Sequence, residues 1–560
     1  MAAETKPTIK VAVVGSGLAG LTSAYLLAKH QPADADFEVH IFEKSSVLGM
    51  DAESLTVKVP GNSNTEKAKE MRVDVPMRSI QGGTVQGVGP YAKLMKFYDH
   101  LDVPLKLHNY SYSFSSRTAA SFEPNACRVK THMLYNGDSG RAGVGIPSKI
   151  YAAQESKITV LLDLIRWLFA TLVLIAHYIR LLFLSRPASR TPTHLCRETL
   201  RAWAQRTTRQ NLIFRVLGWE AFVADVIVPL FSAVCTASIT DIWEHPAAEI
   251  LGTFYSYFIT FGSQVTTGPL VVDYIWLTLE THHYHAADGV RDIVSRLASP
   301  ISQRNIHLGT EVDALIANTS DSTASVSFRL THTDNPEVRT FSGFSHIILA
   351  TPTRRSASLV HSFASTLHEG SPLRAPLEDA ICKLRSFRSF KATVVTHRDA
   401  SVLPGHRNDW RDLNLVLETS EPAHEDEKAG STTRLTPGCA MATHIFPTPS
   451  GPPVCQTTNP VLPIHPESIL SQSVLDRSVL TIESKIARDG FSRPLGNNKW
   501  TQGHLQGLKM HETEKSAARI WFCGAWAYGG IPLLEGCVGS AEIVVEGILK
   551  SEGFEHSPLI

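Results

Sequence analysis

The strongest constraint on the fold is a short turn near the N-terminus, Gly15-Ser16-Gly17-Leu18-Ala19-Gly20, set directly behind the apolar run Ile9 to Val14. That run, broken only by Lys10, reads as a central parallel strand covered on both faces. Each glycine has its own task in such a turn. Gly15 permits the tight bend, Gly17 lets backbone approach a pyrophosphate, and Gly20 lets the next helix pack on the strand. The helix predicted from Leu18 to about Lys29 then points its unpaired N–H groups and dipole at the phosphates. Ser16, Leu18 and Ala19 complete the set expected to touch a cofactor. After a polar break, Phe37 to Phe42 alternates like a strand and ends in Glu43, whose carboxylate is placed to accept hydrogen bonds from a ribose diol. A glycine triplet alone says little; strand, triplet, helix, strand and acid in this order point to a dinucleotide. The acid at Glu43 would repel a 2′-phosphate, so NADP is disfavoured here, while FAD and NAD stay open.

With 560 residues the chain is too long for one hydrophobic core, and two to three domains are expected. Hydrophobic residues make up 43% and charged residues 19%, which excludes a disordered chain. Lys plus Arg and Asp plus Glu both total 53, and no basic stripe interleaves with aromatics, so nucleic acid is not expected as a partner. The cysteines are scattered, with no Cys-x-x-Cys pair and no zinc spacing, which fits reduced thiols and a cytoplasmic location. The apolar N-terminal run is split by glycines and lacks a basic leader, so it reads as fold and not as a signal peptide.

Later segments carry a family resemblance. After Glu43, the stretch Lys44 to Met50 continues the ribose strand toward a glycine pair, with Met50 in place of the second glycine. Ile306 to Val312 reads as a strand, and Phe344 to Pro352 as an apolar strand ending in small residues and proline. Ile520 to Trp526, a loop, and Glu535-Gly536-Cys537-Val538 then open an apolar helix running to Leu549. In these segments the chain resembles the FAD-dependent amine oxidase superfamily, most of all its amine oxidase-like, predicted NAD/FAD-binding group. The resemblance implies FAD as cofactor. Val312 would then meet the adenine edge through its backbone. Gly524 would approach the ribityl and phosphate region, and the helix start at Glu535, Gly536 and Val538 would face the isoalloxazine. Arg72 to Met77 and Ile80 to Gly83 stand where similar proteins pass beneath the ring.

The resemblance also implies an α/β fold with a discontinuous Rossmann-type FAD-binding domain, residues 1–110, 286–355 and 495–560. An inserted α+β substrate domain would take 111–285 and 356–494. The Pro-, Ser- and Thr-rich stretch from Glu421 to Pro453 reads as a solvated loop. The most unusual segment is 158–184, apolar enough to cross a bilayer as a helix of about 40 Å. Asp163, Arg166, His177 and Arg180 fall on one stripe, opposite Leu164, Leu168, Ile175, Ile179 and Leu182. Several charges argue against a simple lipid-exposed span. An interfacial helix in contact with a membrane and a helix buried against the substrate domain both remain open.

A flavin would supply the redox chemistry, so few catalytic side chains are needed. His397, in the run Val394 to Asp399, is the candidate general base, with a hydrogen-bonded structural histidine as the alternative. Trp526 and Tyr528 follow Gly524, where a substrate could meet the ring, and core packing explains them equally well. His282, His283 and His285 invite a metal reading that no carboxylate at fixed spacing supports, so no metal is expected. No lysine can be assigned to the position many amine oxidases of the family use. The expected function is FAD-dependent dehydrogenation of a small apolar substrate, a lipid acyl chain or a hydrophobic secondary metabolite, with an electron acceptor the sequence does not identify. Flavin amine oxidation and a non-catalytic, flavin-stabilised scaffold are the alternatives.

Overall fold

The computed structural model describes residues 6–59, 69–82, 91–108, 110–117, 129–137, 142–152, 157–185, 197–253, 282–331, 337–418, 435–448, 451–496, 499–510 and 518–554. A six-stranded sheet runs in the order Ile306–His307, Asp36–Phe42, Thr8–Val14, His346–Leu349, Arg519–Phe522, Leu508–Lys509. The first five strands are parallel and the last is antiparallel. Period-two geometry sends alternate residues of Thr8–Val14 to opposite faces. Val11 and Val13 join Leu21, Leu26, Val544 and Ile548 from the helices Leu18–Lys29 and Leu534–Ser551. Ala12 and Val14 join Val326, Phe344, Leu359 and Phe363 on the other side. That second layer is the antiparallel sheet Thr310–Asn318, Thr323–Leu330, Val338–Phe344, covered by the helix Thr353–Ser365. The run Val11 to Val14 is apolar throughout because both faces are covered.

The central sheet takes strands from 8–42, 306–349 and 508–522, one group from each of the three expected segments. Two boundaries differ from expectation. The helices Thr353–Ser365 and Arg374–Arg385 share one core with Ala12 and Val14, so the cofactor layer continues past 355 to Phe387. The strand His282–Ala286 pairs antiparallel with Ile80–Gly82 and Leu105–Leu107, which brings it wholly into the first unit.

The second unit is α+β. Its eight-stranded sheet has the order Ile469–Val479, Arg388–His397, Val454–Thr458, Met441–Phe446, Leu413–Leu417, Tyr112–Arg117, Val129–Tyr135, Val144–Gly145. Met441–Phe446 lies inside the stretch expected to be a solvated loop; Met441 and Ala442 are buried in mid-sheet, while the acidic run 421–428 lies outside the described residues. A helical layer gathers Trp203, Trp219, Phe222 and Ile242 into a separate core.

Lys157–Leu184 forms one helix of 28 residues that leaves many of its apolar side chains exposed. His177 is 2% exposed and faces the protein, whereas Leu168 and Ile175 are exposed. None of the helix's most apolar stretch is buried. By length and composition it is the one described helix that could cross a membrane.

Candidate functional site

Gly15 ends the first strand at φ +94°, a conformation open to glycine, and a Cβ there would lie 2.7 Å from the Ala350 carbonyl oxygen. A Cβ at Gly20 would lie 2.0 Å from the Gly15 carbonyl oxygen, so this residue sets the distance between helix and strand. Gly17 is different. Nothing lies within 4 Å of the position its Cβ would take, so the helix opens onto free space where an approaching phosphate would need it. Leu18 and Ala19, the first residues of the helix, are buried, which leaves their backbone as the groups they can present.

Glu43 follows the second strand and is buried. Its Oε2 accepts from the Ser16 N–H at 2.9 Å and the Ser16 hydroxyl at 2.7 Å, and its Oε1 accepts from the Ser45 N–H at 2.9 Å. The Ser16 hydroxyl accepts in turn from the Gly49 N–H at 2.8 Å. The carboxylate expected to meet a ribose thus also ties the glycine turn to the 43–49 loop. Gly49 is required by that tie, since a Cβ there would fall 1.6 Å from the Ser16 carbonyl oxygen. Met50, in place of the second glycine, is buried in the core and gives its carbonyl to Arg78 Nη2 at 3.2 Å.

The closing segment converges on the same place. Gly524 leaves the last parallel strand at φ +150°, and its N–H donates to Ser540 Oγ at 3.0 Å. A Cβ on Gly536 would lie 2.7 Å from the Ala525 carbonyl oxygen, so the helix Leu534–Ser551 starts hard against that turn. Cys537, one residue on, lies near the backbone N–H groups of Ala525 and Ala19, which brings the starts of two helices toward one sulfur. Burial pushes its thiol up to about 11. Arg78 and Arg477 act on the same thiol. Arg78 Nη1 and Arg477 Nε are sealed from solvent without a hydrogen-bond partner. Burial, then the neighbouring Arg78, holds Arg477 down to about 10. Two such guanidinium groups beside two helix N-termini make an electropositive junction that suits an anionic group. The open Gly17 face and this junction fit a dinucleotide.

Several expected roles are corrected by the geometry. His397 is fully buried in the eight-stranded sheet; its Nδ1 accepts from the Asp399 N–H at 3.1 Å, and its Nε2 then donates to Thr457 Oγ1 at 2.7 Å. Burial lowers its pKa to about 4. With both nitrogens engaged inside the sheet it has the surroundings of the structural histidine, the alternative reading. Glu535 turns away from the cofactor region: its carboxylate accepts from the Lys93 and Leu94 N–H groups at 3.0 and 2.9 Å and caps the helix Ala92–His100. Burial raises it to about 7. The Val312 carbonyl accepts from Arg355 Nη2, which fills one of its two acceptor positions. Val538 packs in the core at 0% exposure.

Trp526 stacks edge-on against Phe387 and Phe491, both at 5.1 Å between centroids, and its indole Nε1 is buried without a partner. Tyr528 is buried beside Trp500 and under Gly539. Ile80–Gly82 forms a strand, and Gly83 lies outside the described residues. On the strand His282–Ala286, His283 stands 5.8 Å from Tyr110 and His285 5.7 Å from His108. Among the described residues no three His, Cys, Asp or Glu side chains gather as a metal site. Sequence reasoning missed Arg78 and Arg477, and it met Gly49 and Cys537 only as members of the quoted motifs, without these roles. Arg78 had a local signal, beside an expected glycine pair.

Residues 13–101 match the family described as NAD(P)-binding Rossmann-like domain. No curated protein matches the chain in sequence. Among solved structures, the chain is similar to a putrescine oxidase redesigned in its cofactor binding, at 12% identity and TM-score 0.48 over 97% of this chain and 100% of the other. A similar match is cyclohexylamine oxidase from Brevibacterium oxydans IH-35A, at 11% identity and TM-score 0.47 over 97% and 99%. Another is a CLA-producing fatty acid isomerase from P. acnes, at 12% identity and TM-score 0.49 over 96% and 98%. The order of strand, glycine turn, helix and strand, together with the family match, identifies residues 13–101 as a Rossmann-like dinucleotide-binding unit.

Proposed function

We propose that the chain is an FAD-dependent oxidoreductase that dehydrogenates an apolar substrate, a lipid acyl chain or a hydrophobic secondary metabolite. The observation that carries this reading is the convergence of two helix starts and two incompletely partnered guanidinium groups on Cys537. A dinucleotide held along the open Gly17 face would reach that junction with its far end, and bound FAD would supply the two-electron oxidation of a substrate C–H bond.

The chain's own residues would hold and shield. Ser16 and Glu43 fix the turn, Gly49 keeps the adjoining loop in place, and Arg78 and Arg477 favour negative charge at the junction. The same two cations repel a protonated amine, which supports ranking carbon-chain dehydrogenation above amine oxidation. Purified protein should show the visible absorption of oxidised flavin, and extraction should release FAD. Anaerobic addition of fatty acids and apolar metabolites should then bleach that absorption. Bleaching by amines alone would reverse the substrate assignment. Reduction by dithionite but by no organic substrate would favour the scaffold role, and NAD in place of FAD would overturn the proposal.

A further inference from the structure

We propose that the outward face of the helix Lys157–Leu184, together with the short helix Leu212–Val216, seats the protein on the surface of a phospholipid bilayer rich in anionic headgroups. The polarity of the long helix is the first observation. Two of its polar residues, in the C-terminal half, point inward: His177 Nε2 bonds the Leu217 carbonyl at 3.0 Å, and Arg180 Nη2 donates to the Thr207 carbonyl at 2.6 Å. The Arg180 guanidinium also lies 4.4 Å over the Phe214 and Trp219 rings. Leu161, Ile165, Phe169, Leu172 and Ile175 stand outward, each between 47% and 63% exposed. A water-facing helix has the opposite arrangement, polar out and apolar in. An apolar patch of this extent marks a surface that is covered in use.

The second helix is an independent observation. Phe214 turns in beneath Arg180, while Leu212, Ile213 and Val216 are 62%, 68% and 77% exposed. The short helix thus packs on the long one through Phe214 and presents its other apolar side chains to solvent. Charge selects the occupant. Lys157, Arg166, Arg209 and Arg215 are exposed on or beside these two helices, against Asp163, which pairs with Arg166 at 2.9 Å, and the exposed acids Glu220 and Asp225 on the helical stretch that follows. A net positive rim around an apolar face fits a negatively charged lipid surface. The docking is face-on. Leu181 and Leu182 are buried and His177 and Arg180 are bonded to neighbouring helices, so the C-terminal part is fixed to the protein and does not thread a bilayer.

The test is flotation of the full chain, with its bound flavin, on phosphatidylcholine vesicles with and without phosphatidylserine. The wild type should float with the phosphatidylserine vesicles and much less with phosphatidylcholine alone. The double variant Phe169→Glu/Leu172→Glu should lower partitioning by about tenfold or more. Arg209→Gln/Arg215→Gln, at exposed positions that leave the fold intact, should weaken binding to the anionic vesicles by roughly fivefold for each charge removed and leave binding to neutral vesicles unchanged. Melting temperature and flavin content of each variant, compared with wild type, show whether it is folded. Wild-type protein that stays at the bottom of the gradient with both vesicle types would overturn the proposal. So would a stable dimer in light scattering that the Phe169→Glu/Leu172→Glu variant dissolves, since the cover would then be a second copy.

Discussion

Ser16 gives both its backbone N–H and its hydroxyl to one oxygen of Glu43, at 2.9 and 2.7 Å, across 27 residues of sequence. The glycine turn is therefore held by the acid that follows the next strand. Replacing Glu43 with Gln presents an amide nitrogen either to these donors or to the Ser45 N–H, and a buried donor loses its acceptor. Glu43→Gln should destabilise the protein by about 1–3 kcal/mol and weaken dinucleotide retention, measured as unfolding midpoints with and without added FAD. Equal midpoints for variant and wild type would remove this role.

Gly17 and Gly20 should separate binding from folding. Gly17→Ala meets no atom within 4 Å, so the unliganded stability should stay close to wild type while the ratio of flavin to protein falls. Gly20→Ala drives a methyl group to 2.0 Å from the Gly15 carbonyl oxygen and should destabilise by about 1–3 kcal/mol or more, lowering yield and melting temperature. A Gly17→Ala protein that keeps full flavin would show that nothing approaches that face.

His397 predicts a structural and not a catalytic phenotype. His397→Ala leaves the Asp399 N–H without its side-chain partner, takes one of two partners from the Thr457 hydroxyl, which keeps Thr443, and should cost roughly 1–3 kcal/mol. The rate of flavin reduction by a substrate found as above should not change in the fraction that folds. A large loss of that rate at full flavin content would restore His397 as a base.

Buried histidines also set an acid limit. His397 and His444 have pKa values lowered to about 4, chiefly by burial, against an ordinary value of 6.5. Between these values the unfolded chain binds protons that the folded chain refuses, so these two histidines make stability rise with pH across this window and add nothing above it, while Glu535, raised to about 7, opposes them by one proton. The urea midpoint should hold steady from neutral pH upward and fall as pH drops from 6.5 toward 4. His397→Ala should shallow that slope by removing one proton from the balance.

The apolar run in Thr8–Val14 and the glycine turn made the centre of the fold legible, because a doubly covered parallel strand leaves its residues apolar on both faces. The second unit was harder. Met441–Phe446 carries Thr443 and His444 in mid-sheet and sits beside proline-rich stretches, so local composition pointed to a loop. His397 and Glu535 were visible as polar residues near promising motifs. Their partners, Thr457 and the Lys93 and Leu94 N–H groups, come from distant chain and decide the role. Arg477 lies on a strand whose pattern gives no sign that the strand delivers it to Cys537, 60 residues away in sequence.

The central sheet has a consequence for how the protein is made. His346–Leu349 is bordered on one side by Thr8–Val14 and on the other by Arg519–Phe522. Until the ribosome has delivered that last strand, the apolar edge of Ile347 and Leu349 has no neighbour, and an unpaired edge of this kind recruits other chains. The nascent chain must keep its nucleotide fold open through most of translation. A stop a few dozen residues early would remove no part of the glycine turn and would still leave an aggregating product.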